Sequence, residues 1–316
     1  MDGIIGVGHS SWLYNVYDWG IDVIKIIQSI ENLFLSKIMI FITNMGSAYF
    51  YFPLLLLIFW CIDEKKGARL AFFIMLGAWL NVTCKFLLKQ PRPYQLDVSV
   101  GRILEKTYGF PSAHAQMSLS FWFPLSLWYG KKNLFIAAIL FSLLMGFSRL
   151  YLGVHFPTDL LGGWFLATVM LIIFLRFEDK IVYVLNRGGT RFQLICASII
   201  AWFMNFLGDI RIGGIFLGFA IGYVLMLKKF PFSANALVKG KKPNFIILGI
   251  RFVIGLVVLI FLFWLQSLLI LQISFWGDNY NLLSFISYII IGFWVGAGAP
   301  WVFLHLNLAC GPDDMV

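Results

Sequence analysis

Charged side chains are scarce in this sequence. They account for 12% of its 316 residues, about half of the share that is typical of soluble domains. Cysteine is scarce as well, and the four cysteines show no paired spacing, which argues against a disulfide framework and against a cysteine-based metal site. These shortages exclude a charged, soluble globular domain and a small disulfide-stabilised fold.

Hydrophobic residues make up 60% of the chain, and its mean hydropathy is +0.86. Apolar stretches of roughly 20 residues, long enough to cross the hydrocarbon core of a bilayer, recur along it. Only helices and closed barrels satisfy the backbone in lipid, and these stretches are continuous rather than alternating. The sequence therefore predicts an all-α, polytopic membrane protein. The predicted spans are 48–62, 68–88, 114–129, 133–153, 158–177, 191–207, 211–228, 245–269 and 283–306.

The N-terminal part of the chain has a different character from the remainder. Residues 19–46 mix apolar residues at helical spacing with charged ones, a pattern that is typical of helices lying in the membrane interface. We therefore predict three regions: interfacial helices at 1–47, a transmembrane core at 48–177 and a C-terminal transmembrane extension at 178–316.

Basic residues are concentrated in alternate loops between the predicted spans. Cytoplasmic loops carry an excess of Lys and Arg, so these loops are predicted to face the cytoplasm and the others, including 108–116, to face outward. The net charge of +9 then reflects membrane anchoring. Because no basic soluble face is left, no nucleic acid partner is expected. The basic loops lie at residues 65–69, 131–132, 176–191 and 228–242.

The first polar cluster on the outward side contains Lys85 and Arg92, in the stretch KFLLKQPRP. Pro91 and Pro93 predict that the helix ends here and that the chain around Arg92 is stiff. One interpretation is a pair of cations whose stems lie along apolar surface at the end of a span. The other is a pair of cations directed at one anion.

The second cluster is the stretch YGFPSAHAQ at residues 108–116. Pro111 and Ser112 precede an apolar run, which predicts a helix that begins here with Ser112 near its N-cap. The N-terminus of a helix offers backbone N–H groups and a positive dipole end, which suit a phosphate. His114, one of only four histidines, is either an interfacial residue or a proton donor for a leaving group.

The third cluster is SRLYLGVHFPTD, which contains Arg149, His155 and Asp159. A carboxylate four residues after a histidine can reach its ring on a helix. Such a contact holds one ring nitrogen as a donor and leaves the other with a lone pair. Ionisable residues at membrane depth are costly and generally functional, so we interpret this set as part of a reaction centre.

Because all three clusters are predicted on the outward side, they can converge on one pocket. The three cations Lys85, Arg92 and Arg149 match a phosphoryl group, whose transition state spreads charge over three equatorial oxygens. Two histidines suit a double displacement in which one attacks phosphorus and the other protonates the leaving oxygen. No carboxylate cluster suited to Mg²⁺ is evident, so metal-independent chemistry without a cofactor is expected.

Together, these motifs (K-x6-RP at 85–93, PSAH at 111–114 and SR-x5-H-x3-D at 148–159) resemble the type 2 phosphatidic acid phosphatase (PAP2) superfamily. The resemblance covers about residues 20–177 and implies a PAP2-like six-helix catalytic core, to which the transmembrane core at 48–177 belongs, followed by about four additional C-terminal transmembrane helices.

The resemblance also implies residue roles. His155 would be the nucleophile that forms a phosphohistidine, supported by Asp159, and His114 would be the acid and then the base. Ala113 stands where the family usually has Gly, and its backbone N–H would still contribute to phosphate binding. The remaining phosphate-binding residues would be Lys85, Arg92, Ser112 and Arg149.

The leading hypothesis is an integral-membrane lipid phosphatase in a bacterial inner membrane, with its active site on the extracytoplasmic side. Its expected partners are the bilayer and a lipid phosphate: phosphatidic acid, phosphatidylglycerol phosphate, a polyprenyl pyrophosphate or a sphingoid phosphate. The alternatives are a lipid phosphotransferase that uses the same intermediate and a non-catalytic anion-binding transporter or scaffold. The sequence does not predict an oligomeric state.

Overall fold

The computed structural model describes residues 11–237, 243–273 and 280–311, and these residues are almost entirely helical. No β-strand longer than an isolated bridge forms within these ranges, so the prediction of an all-α protein is confirmed. Residues 238–242, which are part of the predicted basic loop at 228–242, lie outside the described residues. The helices are α1 (Ser11–Gln28), α2 (Leu33–Asn44), α3 (Ala48–Leu57), α4 (Glu64–Leu88), α5 (Pro93–Leu96), α6 (Ala113–Trp128), α7 (Lys132–Tyr151), α8 (Pro157–Leu207), α9 (Ile210–Lys229), α10 (Phe245–Ile273), α11 (Tyr280–Phe293) and α12 (Ala299–His305).

Six helical segments in the described chain are long and apolar enough to cross a membrane, and there are seven if the pair α2 and α3, bent by 47°, is one span. The polytopic prediction is therefore confirmed, whereas the number of extra C-terminal helices stays a prediction. α6 matches the predicted span 114–129, but it has only 16 residues. The six segments are Glu64–Leu96, Lys132–Tyr151, Pro157–Leu207, Ile210–Lys229, Phe245–Ile270 and Asn281–His305.

The two predicted spans 158–177 and 191–207 both lie within α8, which consists of two helices that meet at a kink. The kink falls between the two predicted spans, so the structure does not contradict their separation. The backbone leaves helical dihedral angles only at Gly189, where φ is 72° and ψ is −178°.

The chain divides into two compact units. The first contains the described residues through Tyr51 together with Asn81–Ile172, and the second contains Phe52–Leu80 together with the described residues from Ile173 onward. All of the predicted site residues belong to the first unit. The predicted region boundaries at 47 and 177 stay a prediction.

In the first unit, two buried hydrophobic clusters lie beside the segment that joins α7 to α8. One contains Met145 and Val154, and the other contains Tyr17, Ile24 and Phe156. Burial of these side chains removes apolar surface from a polar environment. The segment that carries His155 is therefore held between two packed clusters.

Gly153 makes the turn that ends α7. Its φ is +67°, a left-handed conformation that side chains with a Cβ adopt at a cost. A Cβ atom here would lie 1.8 Å from the carbonyl oxygen of Val100. Two residues later the chain reaches His155, so this close backbone approach determines where that ring lies.

In the second unit, Arg251 is fully buried. Its guanidinium donates hydrogen bonds to the carbonyl oxygens of Ala234 at 2.6 Å and Leu308 at 2.5 Å, and it lies over the Phe232 ring, 5.8 Å from the centroid. A buried charge is tolerated when it is hydrogen-bonded in this way. Arg251 therefore ties α10 to the segments that precede and follow it.

We expect Gly153→Ala to lower thermal stability, because the new methyl group has to displace the Val100 carbonyl. Gly130 is a matched control, since its φ is +61° but nothing lies within 4 Å of its Cβ position. Gly130→Ala should lose only about 1–2 kcal/mol for the left-handed conformation. Thermal unfolding in detergent measures both variants, and equal losses for the two would contradict the steric explanation.

Candidate active site

The predicted site residues lie at helix ends within the first unit. Lys85 is in the last turn of α4, Ser112 caps α6, Arg149 is in the last turn of α7 and Asp159 is in the first turn of α8. Helix ends have backbone groups without intrahelical partners, so polar side chains are expected to gather there.

His155 and Asp159 form a buried pair. Nδ1 of His155 lies 3.1 Å from Oδ2 of Asp159, and the same oxygen accepts a hydrogen bond of 3.0 Å from the backbone N–H of Phe156. An ionised carboxylate only accepts hydrogen bonds, so with Asp159 in that form the proton lies on Nδ1 and the lone pair on Nε2. Burial, together with the positive charges of Arg149, Arg92 and Lys85, holds the pKa of His155 well below its ordinary value. The ring is therefore neutral and nucleophilic at neutral pH.

Arg92 faces the second ring nitrogen of this histidine. Its Nη1 lies 3.4 Å from Nε2 of His155 and donates to the Val154 carbonyl at 2.8 Å. Its Nε donates to the carbonyl of Thr107 at 2.6 Å, and its Nη2 donates to the carbonyl of Tyr108 at 3.2 Å. These partners are carbonyl oxygens, which carry no full charge, so Arg92 keeps its positive charge available for an anion.

Lys85 is bound in the same manner. Its Nζ donates to the carbonyl oxygens of Tyr108 at 2.5 Å and Gly109 at 3.0 Å. The ammonium and the Arg92 guanidinium thus share the Tyr108 carbonyl. Lys85 lies just before the C-terminus of α4 and Arg92 just after it. Both are thereby held against the loop that leads into α6.

Arg149 is only 1% exposed, yet it is incompletely paired. Nη1 donates to the hydroxyl of Thr43 at 2.6 Å, and Nη2 donates to Oε1 of Glu105 at 2.5 Å. Its Nε is buried without a hydrogen-bond partner among the described residues. An unpaired buried donor is costly, so this nitrogen marks a position that an anion can occupy.

Glu105 was not predicted as a site residue. Although its burial acts in the opposite direction, the charge and the hydrogen bond of Arg149 lower the pKa of its carboxyl below the ordinary value. It is therefore ionised at neutral pH and is the direct anionic partner of Arg149.

α6 begins as predicted. The hydroxyl of Ser112 accepts from the backbone N–H of Ala115 at 3.4 Å, and the backbone N–H of Ser112 donates to the Asp159 carbonyl at 2.9 Å. Helix formation starts at Ala113, so the N-terminus of α6 is fixed beside the start of α8. The positive end of the α6 dipole is therefore placed next to the His155–Asp159 pair.

His114 follows in the first turn of α6. A Cβ atom on Gly46 would lie 2.5 Å from Cδ2 of its ring, and the ring interacts with the backbone of Thr43. Gly46 lies in the bend between α2 and α3. The position of His114 thus depends on the close approach of a glycine in a segment predicted to be interfacial.

A cavity of about 550 Å³ opens beside this arrangement. Of the predicted site residues, His114 and Arg149 line it, whereas His155 is 1% exposed and does not. The cavity wall combines polar groups near Arg149 with apolar side chains, as an amphiphilic ligand requires. Its lining is Thr43, Asn44, Ser47, Tyr49, Phe50, Ile103, Glu105, His114 and Arg149.

Three contributors were missed: Thr43, Gly46 and Glu105. Thr43 and Gly46 carry no charge, and their contacts with Arg149 and His114 are long-range in sequence. Glu105 did carry a signal, because it is an acidic residue in a loop that lies between two of the basic motifs. In the part of the chain that is described, no three His, Cys, Asp or Glu side chains converge as a metal site.

Two family models match the chain in succession. The PAP2 superfamily model matches residues 66–183, and the model of the PAP2 superfamily phosphatase transmembrane extension matches residues 210–311. The chain belongs to the PAP2 superfamily. The first model covers the loop and helix ends described above, and the second covers most of the C-terminal region.

Curated relatives of this PAP2 protein include three phosphatases. Human sphingosine-1-phosphate phosphatase 2 is 25% identical over 78% of this chain and 68% of its own length. Undecaprenyl-diphosphatase of Sulfolobus acidocaldarius is 28% identical over 51% of this chain and 79% of its own. Phosphatidylglycerophosphatase B of Bacillus subtilis is 28% identical over 48% of this chain and 79% of its own length.

A solved structure is also similar to this chain. The crystal structure of a transmembrane PAP2-type phosphatidylglycerolphosphate phosphatase from Bacillus subtilis is 26% identical, covers 55% of this chain and 89% of that chain, and has a TM-score of 0.48.

The two family models and the three curated relatives confirm the predicted class. The PAP2 protein is an integral membrane protein and a hydrolase of phosphate esters or diphosphates, in a family whose matched members are membrane lipid phosphatases.

We expect Gly46→Ala to lower turnover by about 10²-fold, the loss that a misplacement of roughly 1 Å causes in a catalytic group, because the methyl group has to displace the His114 ring and the Met145 side chain that lies beside it. Gly249→Ala is the control, since nothing lies within 4 Å of that Cβ position. Phosphate release from lipid phosphates in detergent micelles measures both. Turnover of Gly46→Ala within twofold of wild type, with an unchanged Tm, would show that the contact does not position His114.

Proposed function

We propose that this protein is an integral-membrane lipid phosphatase that hydrolyses a lipid phosphate monoester or diphosphate through a phosphohistidine at His155. One observation carries the proposal: the neutral His155 ring, whose Nδ1 lies 3.1 Å from Asp159 while Nε2 faces Arg92 at 3.4 Å. A nucleophile oriented by a carboxylate and directed at a cation suits attack on a bound phosphoryl group.

In the first step, Lys85, Arg92 and Arg149 hold the phosphoryl oxygens, together with Ser112 and the backbone N–H of Ala113. The Nε2 lone pair of His155 forms a bond to phosphorus while the bond between phosphorus and the lipid oxygen breaks. The leaving oxygen takes a proton from His114, which takes part as the imidazolium once the bound phosphate offsets the charges of the three cations. Three cations match the charge that develops on the three equatorial oxygens of the transition state.

In the second step, the now neutral His114 accepts a proton from water, whose oxygen forms a bond to phosphorus. The bond between phosphorus and Nε2 breaks, which restores the lone pair of His155 and releases inorganic phosphate. Asp159 holds the proton on Nδ1 throughout. We propose that this cycle needs no metal or cofactor, because three fixed cations supply the charge stabilisation that a metal provides in other phosphatases.

A lipid substrate is supported by the membrane-spanning helices and by the amphiphilic cavity that reaches Arg149 and His114. The relatives named for sphingosine 1-phosphate, undecaprenyl diphosphate and phosphatidylglycerophosphate indicate the range of candidates, and phosphatidic acid stays a further one. An acceptor alcohol in place of water would make the same intermediate a phosphotransferase, which analysis of the phosphorylated products distinguishes.

We expect His155→Ala to lose phosphate release by more than about 10³-fold, because the variant lacks the nucleophile of the proposed covalent step. His305→Ala is the matched control, since His305 is exposed in the second unit and its Nδ1 contacts only the Trp301 carbonyl at 2.8 Å. Both are assayed on a panel of the candidate lipids, with and without EDTA. Full activity in His155→Ala would refute the phosphohistidine mechanism, and loss of wild-type activity with EDTA would refute metal independence.

We propose that the active site faces the extracytoplasmic side of a bacterial inner membrane. α6 runs about 24 Å from its N-terminus to its C-terminus, so a cysteine at Leu104 in the loop before α6 and one at Lys131 beyond its end probe opposite ends of one helix. In a background without the four native cysteines, we expect a membrane-impermeant maleimide to label Leu104→Cys in intact cells and Lys131→Cys only after permeabilisation. The reverse pattern would invert the proposed orientation.

A further inference from the structure

Glu105 is built into the site rather than placed on a mobile surface. The hydroxyl of Tyr94 donates to its carbonyl at 2.8 Å and accepts from its backbone N–H at 3.2 Å. Upstream in the same loop, Arg102 makes two hydrogen bonds of 2.7 Å with Glu31. The backbone that carries Glu105 is therefore held on both sides, and its carboxylate is presented to the cavity at a defined position.

That carboxylate occupies the place where a phosphate is expected. It lies 2.5 Å from Nη2 of Arg149, the only one of the three cations that lines the cavity in the described structure. A phosphate that enters through the cavity has to replace or share this contact. Phosphate binding thus exchanges one anion for another on the same guanidinium.

The exchange deprives Glu105 of its contact with Arg149 and leaves its carboxyl group close to the new phosphate. The other cations whose charge acts on it, Arg92 and Lys85, are already donating to the carbonyls of residues 107–109. Two anions at close range repel each other, and a partly buried carboxylate without a partner is costly. A positive group on the substrate itself, close to its phosphate, removes both penalties.

We infer that Glu105 makes the site selective for lipid phosphate esters that carry an ammonium group next to the phosphate-bearing carbon. The inference rests on the proposed function and names the substrate class of that same site. Arg149 and the other cations bind the phosphate, while Glu105 binds the ammonium and disfavours lipids that lack one. Selectivity of this kind combines an attractive contact with a repulsive one.

The test compares two single-chain phosphate monoesters, sphingosine 1-phosphate and octadecyl phosphate, which lacks the ammonium. We expect wild type to favour the amino lipid in kcat/KM by about tenfold or more, the factor that corresponds to one hydrogen bond to a charged group. Glu105→Gln should reduce this ratio to less than about threefold, by raising KM for the amino lipid and lowering it for octadecyl phosphate. Glu105→Asp, which retains the charge with a shorter reach, should give an intermediate ratio.

Asp179→Asn is the matched control, because it removes a carboxylate that is bound to an arginine, Arg69, at 3.2 Å in the second unit and outside the cavity lining, and it should keep the wild-type ratio. A wild-type ratio below twofold, an unchanged ratio in Glu105→Gln, or equal losses on both lipids would overturn the inference. The first of these outcomes needs no variant, so the test survives a failure of Glu105→Gln to fold. Failure of the proposed function looks different, because wild type would then release phosphate from neither lipid, or His155→Ala would release it as well as wild type.

Discussion

The burial of three cations in a helical membrane protein is the constraint on which the candidate site depends. Lys85, Arg92 and Arg149 are each less than one-tenth exposed, and an uncompensated charge at that depth would be expensive. Two of them are satisfied by backbone carbonyls of one loop. The third, Arg149, donates to the Thr43 hydroxyl and to the Glu105 carboxylate. Its Nε has no hydrogen-bond partner in the described chain. This uneven compensation is what makes the cluster receptive to an anion.

The same constraint explains why the site is assembled at helix ends. A carbonyl-rich loop can meet buried donors only where a helix stops, and a helix N-terminus adds its own donors there. The Gly153 turn and the Gly46 bend allow backbones to approach closely enough for His155 and His114 to be placed. Close backbone packing thus acts together with polar contacts, such as that between His155 and Asp159, to position each histidine.

Much of the architecture was predictable because lipid imposes strong rules on composition. Apolar continuity predicted the helices, and Pro111 with Ser112 predicted the start of α6. The break between 177 and 191 was predicted from the charged residues there, and the helix is kinked within this range, at Gly189. Thr43 and Glu105 escaped prediction for another reason: their roles come from contacts with Arg149, which is 106 and 44 residues away.

The sequence by itself determined the helical class, the membrane setting and the set of reactive residue types, since these follow from local patterns of hydropathy and from motif spacing. The tertiary structure decided which cation carries a carboxylate, which ring nitrogen is left with its lone pair, and which residues line the cavity. Those features depend on hydrogen bonds of a few ångströms between distant segments. Local sequence patterns contain no information about these distances, because the distances are established only when the helices pack.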